Sequence, residues 1–464
     1  MSSEEYPIND QVSKHNIPYG ARPTDVDSKH PRSLYMLFFT EMWERFSYYG
    51  MRALLTLYLI TEVSAGGLGW SAADATQLYG IYTGLVYVTP VIGGYLADKY
   101  LGFRSAVFIG GIIIALGHGA LAIEAMPSFY TGLGLLIIGT GFFKPNISSM
   151  VGQLYPEGSK LKDSAYTIFY MGINLGAFFG ALICGYLGEK VGWHWGFGAA
   201  GIGMLLGLVQ FYIGQNQLGS IGLKPAPVDK TKAVMPKEPL TKVERDRLIV
   251  ILALSFFSIL FWLAFEQAGS SMNIFAYKYT DRYIDFLDFE VPATWFQSVN
   301  SFFIFTLAPF FSMLWVFLSK KKLNPAGPYK FAIALVLLAL GFVVLVVGAS
   351  SIPKGAETAG VSMFWLVFAY MLHTMGELCL SPVGLSFVNK LSPLRLVGLM
   401  FGVWFGASAI GNYLGGALAG MIEYMSQTQT MSNFFLIFVS IAAVSALILF
   451  LFGKKLEKLM HGIK

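Results

Sequence analysis

Seven ionisable residues interrupt otherwise apolar runs: Glu41, Glu44, Arg45 and Arg52 close together, then Lys144, Glu266 and Glu377, widely separated. In a lipid bilayer each such charge costs roughly 2.5–3.5 kcal/mol unless it is paired or meets water, so residues of this kind line cavities or ion pathways. One charge near a helix end can snorkel to the interface, but seven spread over both halves of the chain are poorly explained that way. Four carboxylates face three cations, and a proton can cancel the negative charge left over. A carboxylate that exchanges its cationic partner changes its proton affinity. The set can therefore couple proton uptake to a change of partner.

The first four charges belong to one helix. At about 100° per residue, Glu41, Glu44, Arg45, Tyr48, Tyr49 and Arg52 fall within an arc of roughly 140°, with Met42, Phe46 and Leu54 outside it. The elements that carry the charges are long apolar runs. Of 464 residues, 55% are apolar, 13% are charged and 51 are glycine, and the mean hydropathy is +0.59. Soluble domains carry about 25% charged residues, so an ordinary water-soluble globular protein is excluded. Runs of about 20 apolar residues predict spans near 34–60, 77–97, 105–125, 129–150, 164–188 and 194–213. A second set follows near 247–277, 294–318, 329–350, 363–388, 397–424 and 432–453. The expectation is an all-α membrane protein with twelve transmembrane helices in two six-helix bundles.

The domain plan is an N-terminal tail over 1–33, a bundle over 34–213, a linker over 214–246, a bundle over 247–453 and a C-terminal tail over 454–464. The linker is rich in Lys and Arg and holds Pro225, Pro227, Pro236 and Pro239, which suits an aqueous connection. Basic residues gather on the side of both tails and the linker, leaving Lys190, Lys278, Arg282 and Lys354 opposite. The positive-inside rule then puts both termini in the cytoplasm. The first 33 residues lack the apolar core of a cleavable signal peptide. Cys184 and Cys379 lie in apolar segments and suggest neither a disulfide framework nor a metal site; no metal or other cofactor is expected. A net charge of +5 spread over short loops argues against a nucleic-acid partner.

Two sixes joined by a basic linker resemble the major facilitator superfamily, whose binding sites lie between the halves near the midplane. The run Gly93-Gly94-Tyr95-Leu96-Ala97-Asp98-Lys99 is similar to that superfamily's G-x-x-x-D-[RK] loop, read as a gating turn. More specifically, Glu41-Met42-Trp43-Glu44-Arg45-Phe46-Ser47-Tyr48-Tyr49-Gly50 resembles the E-x-x-E-R-F-x-Y-Y-G signature of the proton-dependent oligopeptide transporter (POT/PTR) family. Similar matches are Tyr87-Val88-Thr89-Pro90, Phe143-Lys144-Pro145-Asn146, Phe169 to Gly176, Phe261-Trp262 with Glu266-Gln267, Gly376 to Gly384, and Trp404-Phe405. The resemblance covers about residues 34–453.

The resemblance implies a proton-coupled symporter that imports di- and tripeptides by alternating access, without enzymatic activity, as a monomeric unit in a bacterial inner membrane. It implies a proton-coupling set of Glu41, Glu44, Arg45, Lys144 and Glu377. Arg45 and Lys144 would hold the peptide carboxylate, one as a bidentate fork and one as a compact charge, and Glu377 would hold its ammonium. Lys144 would also pair with Glu377 across the halves, and Arg52 with Glu266 as a gate on the outer side. Asn174 and Asn300 would bond the peptide backbone, and Tyr48, Tyr49, Tyr87, Trp262, Trp404 and Ser408 would line side-chain pockets. Residues 214–246 are too short for the two extra helices of many bacterial members, and the histidine of mammalian members aligns near Gly80. His373, one turn before Glu377, and His118 are read as packing residues. A different small solute on the same scaffold, such as nitrate or an amino-acid-like drug, remains the alternative.

Overall fold

The computed structural model describes residues 29–156, 159, 161–224 and 239–463; the expected tail up to residue 28 and linker residues 225–238 lie outside the described residues. The first half consists of α1 (Arg32–Ile60), α2 (Ala72–Leu96), α3 (Phe103–Leu121), α4 (Met126–Gln153), α5 (Lys162–Tyr186) and α6 (Trp193–Gly214). The second half consists of α7 (Lys242–Phe265) with the short α8 (Ser271–Tyr279), then α9 (Phe296–Lys320), α10 (Gly327–Ala349) and α11 (Phe364–Leu391). It ends with α12 (Val397–Ala419), the short α13 (Met421–Thr428) and α14 (Met431–Leu459). Among the described residues, eleven helical stretches are long and apolar enough to cross a bilayer. The twelfth is α1, a 29-residue helix set apart from the others by the charges it carries.

Several helices outrun their apolar cores. The helix α7 starts at Lys242, ahead of the apolar run at 247, because Thr241 and Glu244 form a reciprocal capping box that satisfies a polar first turn. The helix α14 runs to Leu459, past the apolar limit at 453. Pro90, Pro145, Pro309 and Pro382 lie inside α2, α4, α9 and α11. Transmembrane helices tolerate such prolines because neighbouring side chains pick up the freed carbonyls. Pro145 frees the Gly141 carbonyl, and the next carbonyl along, Phe142 O, accepts from Asn146 Nδ2 at 2.6 Å.

Small residues bring the helices together. A Cβ on Gly180 of α5 would collide with the Phe46 backbone carbonyl of α1, so only glycine permits that approach. The two halves meet most closely where α2 crosses α12. There a Cβ on Gly80 would lie 2.9 Å from the Tyr413 carbonyl oxygen and 3.0 Å from Gly416 Cα. The position near which a histidine was aligned thus has no room for a side chain.

The halves touch at one end of the bundle and part at the other. At the end poorer in Lys and Arg, here termed the outer end, β1 (Thr280–Asp281) pairs in parallel with β4 (Val361–Ser362), and β2 (Tyr283–Ile284) pairs antiparallel with β3 (Phe289–Glu290). Cross-half bonds gather toward this end: Thr56 Oγ1 donates to Gly269 O at 2.7 Å, Asn273 Nδ2 to Ala53 O at 3.0 Å and Trp295 Nε1 to Leu182 O at 2.9 Å. Toward the basic end, Val88, Val91, Ile92 and Tyr95 of α2 are exposed, and a Cβ on Gly398, Gly402 or Gly406 of α12 would meet nothing. The space between the bundles therefore opens toward the basic end. Gly80→Val should overpack the α2–α12 crossing and cost about 1–3 kcal/mol. The expected result is a lower melting temperature of the purified protein in detergent, and an unchanged melt would count against a tight crossing there.

Candidate functional site

The polar face of α1 is buried and carries two charge centres. In the first, Arg45 lies between Glu41 and Glu44; Arg45 Nε is 3.1 Å from Glu41 Oε1 and also forms an ion pair with Glu44. All three residues are at most 3% exposed. Two carboxylates thus share one guanidinium, and Glu41 Oε2, Glu44 Oε1 and Arg45 Nη2 have no hydrogen-bond partner among the described residues. Tyr48 sits beneath this centre, with the Arg45 guanidinium 5.2 Å from its ring centroid and the Tyr82 ring stacked at 6.5 Å.

The second centre joins the halves. Arg52 Nη2 lies 2.6 Å from Glu266 Oε2, and Arg52 Nε donates to the Tyr79 hydroxyl at 2.6 Å. Tyr79 in turn donates to Glu266 Oε2 at 3.3 Å. A break in the second half's first helix positions the carboxylate: after Phe265 the chain makes a 3₁₀ turn over Glu266–Gly269 and a non-helical step at Ser270, then resumes as α8. Gln267 supports the break by donating to the Leu263 and Gly415 carbonyls at 3.0 and 2.9 Å while accepting from Ser271 Oγ.

Between the halves lies a cavity of about 170 Å³. It is lined by Tyr49, Arg52, Tyr87 and Asn174 from the first half and by Trp262, Glu266, Asn300 and Glu377 from the second. Glu377 Oε2 accepts from Asn300 Nδ2 at 2.9 Å, and Asn300 also donates to Thr374 Oγ1 at 3.0 Å. Lys144 lies beside the cavity with its ammonium 4.2 Å from the centroid of Tyr87. Asn174 Nδ2 is turned to the Tyr170 carbonyl of its own helix at 3.0 Å.

The structure brings eight of the expected site residues around one cavity and puts the others elsewhere. Glu41, Glu44 and Arg45 form the neighbouring buried cluster. Trp404 packs on Phe331 with ring centroids 6.0 Å apart and on Gly384, while Ser408 Oγ donates to the Trp404 carbonyl at 3.4 Å within α12. Tyr48, Trp404 and Ser408 are therefore packed and do not line this cavity. The implied Lys144–Glu377 pair is absent from the ion pairs of the described residues, because the two bundles diverge on that side and each group takes a partner from its own half. His373 borders the cavity but presses its imidazole against Gly341 and Phe342 of α10. Sequence reasoning missed Tyr79, Tyr170, Gln297 and Tyr370. All four are polar residues inside apolar runs, a signal too common in a chain with 24 tyrosines to single them out.

A profile of the POT family matches residues 104–244 and 237–435. The chain belongs to the POT family. It is 38% identical to the peptide transporter YePEPT of Yersinia enterocolitica, the alignment covering 85% of this chain and 88% of that one. It is 32% identical to a di-/tripeptide transporter of Lactococcus lactis subsp. cremoris, covering 94% and 97%. A crystal structure of a peptide transporter POT bound to sulfate superposes with a TM-score of 0.87 at 34% identity, over 98% of this chain and 100% of that one. As a member of this transporter family the protein is a multi-pass membrane transporter with the major facilitator fold and not an enzyme.

The Arg52–Glu266 pair tests whether this POT cavity depends on a buried ion pair. Glu266→Ala should leave Arg52 without its counter-ion and destabilise the protein by about 3–5 kcal/mol. Adding Arg52→Ala should restore part of that loss in a thermal melt. Additive losses in the double variant would show that the two charges do not depend on one another.

Proposed function

We propose that the protein is a proton-coupled symporter that imports di- and tripeptides by alternating access, in a bacterial inner membrane with both termini cytoplasmic and as a monomeric unit. The observation that carries this reading is a cavity between the two bundles that has cations beside it on one side and a carboxylate lining the other. Lys144 and Arg45 lie on the first bundle, and Glu377 lies on the second. A free peptide has a carboxylate at one end and an ammonium at the other, so it can join the two bundles by its ends whatever its side chains. Arg45 and Lys144 receive the carboxylate, Glu377 the ammonium, and the amides of Asn174 and Asn300 meet the backbone. Tyr49, Tyr87 and Trp262 bound the side-chain space, with Tyr48, Trp404 and Ser408 packed behind.

Proton coupling follows from charge balance. Glu41 and Glu44 share Arg45, and a peptide carboxylate that draws Arg45 away leaves two carboxylates without their cation. A proton on Glu44 or Glu41 removes that repulsion, and Lys144 and Glu377 enter the same exchange once a peptide spans the cavity. The Arg52–Glu266 pair gates the outer side, because it must part for the bundles to separate there. An inward proton then contributes roughly 2.3 kcal/mol per net charge per 100 mV, besides the pH gradient.

Reconstituted in liposomes, the protein should accumulate dialanine under an inward proton gradient, and an ionophore should abolish the accumulation. Glu44→Gln should lose gradient-driven accumulation while keeping counterflow exchange; full accumulation would remove Glu44 from coupling. Lys144→Ala should weaken binding of free-carboxylate peptides by about 10- to 100-fold. A C-terminally amidated peptide should be less affected, and an equal loss for both would assign the lysine a packing role.

A further inference from the structure

Two carboxylates at the outer end each cross from one half to the other and end on the N-terminus of a helix. Glu189, in the turn that follows α5, accepts the Ala293 N–H through Oε2 at 2.9 Å and the Thr294 N–H through Oε1 at 2.8 Å. The Thr294 hydroxyl donates to the same Oε1 at 2.6 Å. Ala293 and Thr294 open the 3₁₀ turn that leads into α9. Glu423, on α13 at the end of α12, accepts the N–H of Ala72, the first residue of α2, at 3.2 Å and Lys278 Nζ at 2.8 Å. The arrangement is symmetric. The fifth long helix of each bundle supplies the carboxylate, and the second long helix of the other bundle supplies the N–H groups.

The first helical N–H groups lack intrahelical partners, and the helix dipole favours an anion beside them. A carboxylate from the opposite bundle is therefore a specific cross-half contact and not general surface charge. Around Glu189, Arg282 Nη1 lies 3.8 Å away, Arg282 Nη2 lies 2.9 Å from Glu290 Oε1, and Lys190 Nζ from the first half reaches Glu290 Oε2 at 2.6 Å. The Lys190 ammonium donating to Glu290, with Arg282 nearby, holds that carboxyl below the usual carboxylate range despite partial burial. These groups lie at the outer edge of the bundle, where water can replace each lost partner on opening.

We propose that Glu189 and Glu423 are a symmetry-related pair of latches that hold the outer end closed, and that both must release before the cavity opens to the outside. The inference rests on the alternating access of the proposed function and is independent of which solute is carried or whether protons drive it.

The test is a distance measurement across the outer end in the full-length protein in lipid nanodiscs. Spin labels on Val63→Cys and Phe286→Cys sit on exposed positions of opposite halves, and native Cys184 and Cys379 are buried. Glu189→Gln and Glu423→Gln replace carboxylates that serve three and two donors with an amide that has one acceptor oxygen. Each substitution should raise the ratio of open to closed distances about tenfold, and the pair about a hundredfold, as for independent contacts. Glu189→Asp, which keeps the charge, should fall between wild type and Glu189→Gln. An unchanged distance distribution in folded Glu189→Gln and Glu423→Gln proteins would overturn the latches, even if both melted at lower temperature. Dialanine uptake by the wild type reads the other proposal separately. A distance shift in the variants without uptake by the wild type keeps the latches and removes the peptide reading, and uptake without a shift does the reverse.

Discussion

A guanidinium in apolar surroundings must keep a counter-ion, and Arg52 finds its own in the other half of the molecule. Glu266 meets it at 2.6 Å across the bundle interface. That requirement sets much else. The second bundle's first helix breaks at Glu266–Ser270 so that the carboxylate can reach Arg52, and Gln267 and Ser271 take up hydrogen-bonding groups that the break disturbs. Tyr79 bonds both partners and so ties α2 to the same point. A buried pair of this kind adds little net stability over an apolar substitute, but losing one partner is costly. It therefore specifies how the two bundles face each other more than it strengthens their contact.

Around that point the halves behave as two packed bodies with a narrow contact. Glycines let α1 approach α5 inside one half and let α2 approach α12 across the halves, so backbone meets backbone where side chains would hold the helices apart. The cross-half bonds gather toward the outer end, while the opposite end has parted. The same divergence explains why Lys144 lies over Tyr87 and Glu377 bonds Asn300 instead of one another. A charge left without a partner in the membrane is costly, and here Lys144 and Glu377 each have one within their own half.

The residues that line the cavity illustrate what a linear reading can miss. Tyr49, Tyr87, Asn174, Trp262, Asn300 and Glu377 line the cavity, but Trp404 and Ser408 are turned into packing against α10 and α11 and within α12. Their spacing on α12 does not say which side of that helix faces the cavity. The contribution of Tyr79 was equally hidden. One tyrosine in an apolar run has no distinguishing mark until its hydroxyl is seen between a guanidinium and a carboxylate 187 residues further along the chain.

By itself the sequence determined the twelve apolar spans, their division into two sixes, the polar face of α1 and the family motifs. All of these are local, since they rest on hydropathy over about 20 residues or on a repeat of about 100° per residue. Helix ends were less legible, because capping boxes and amphipathic extensions carry α7 and α14 beyond their apolar cores. The family motifs already named Arg52 and Glu266 as a pair; only the tertiary structure decided that Lys144 and Glu377 stay apart, where the bundles touch, and that Glu189 and Glu423 each cap a helix of the opposite bundle. Those contacts join residues more than 100 positions apart, and they depend on how two rigid bundles are set against each other, which no periodicity along the chain encodes.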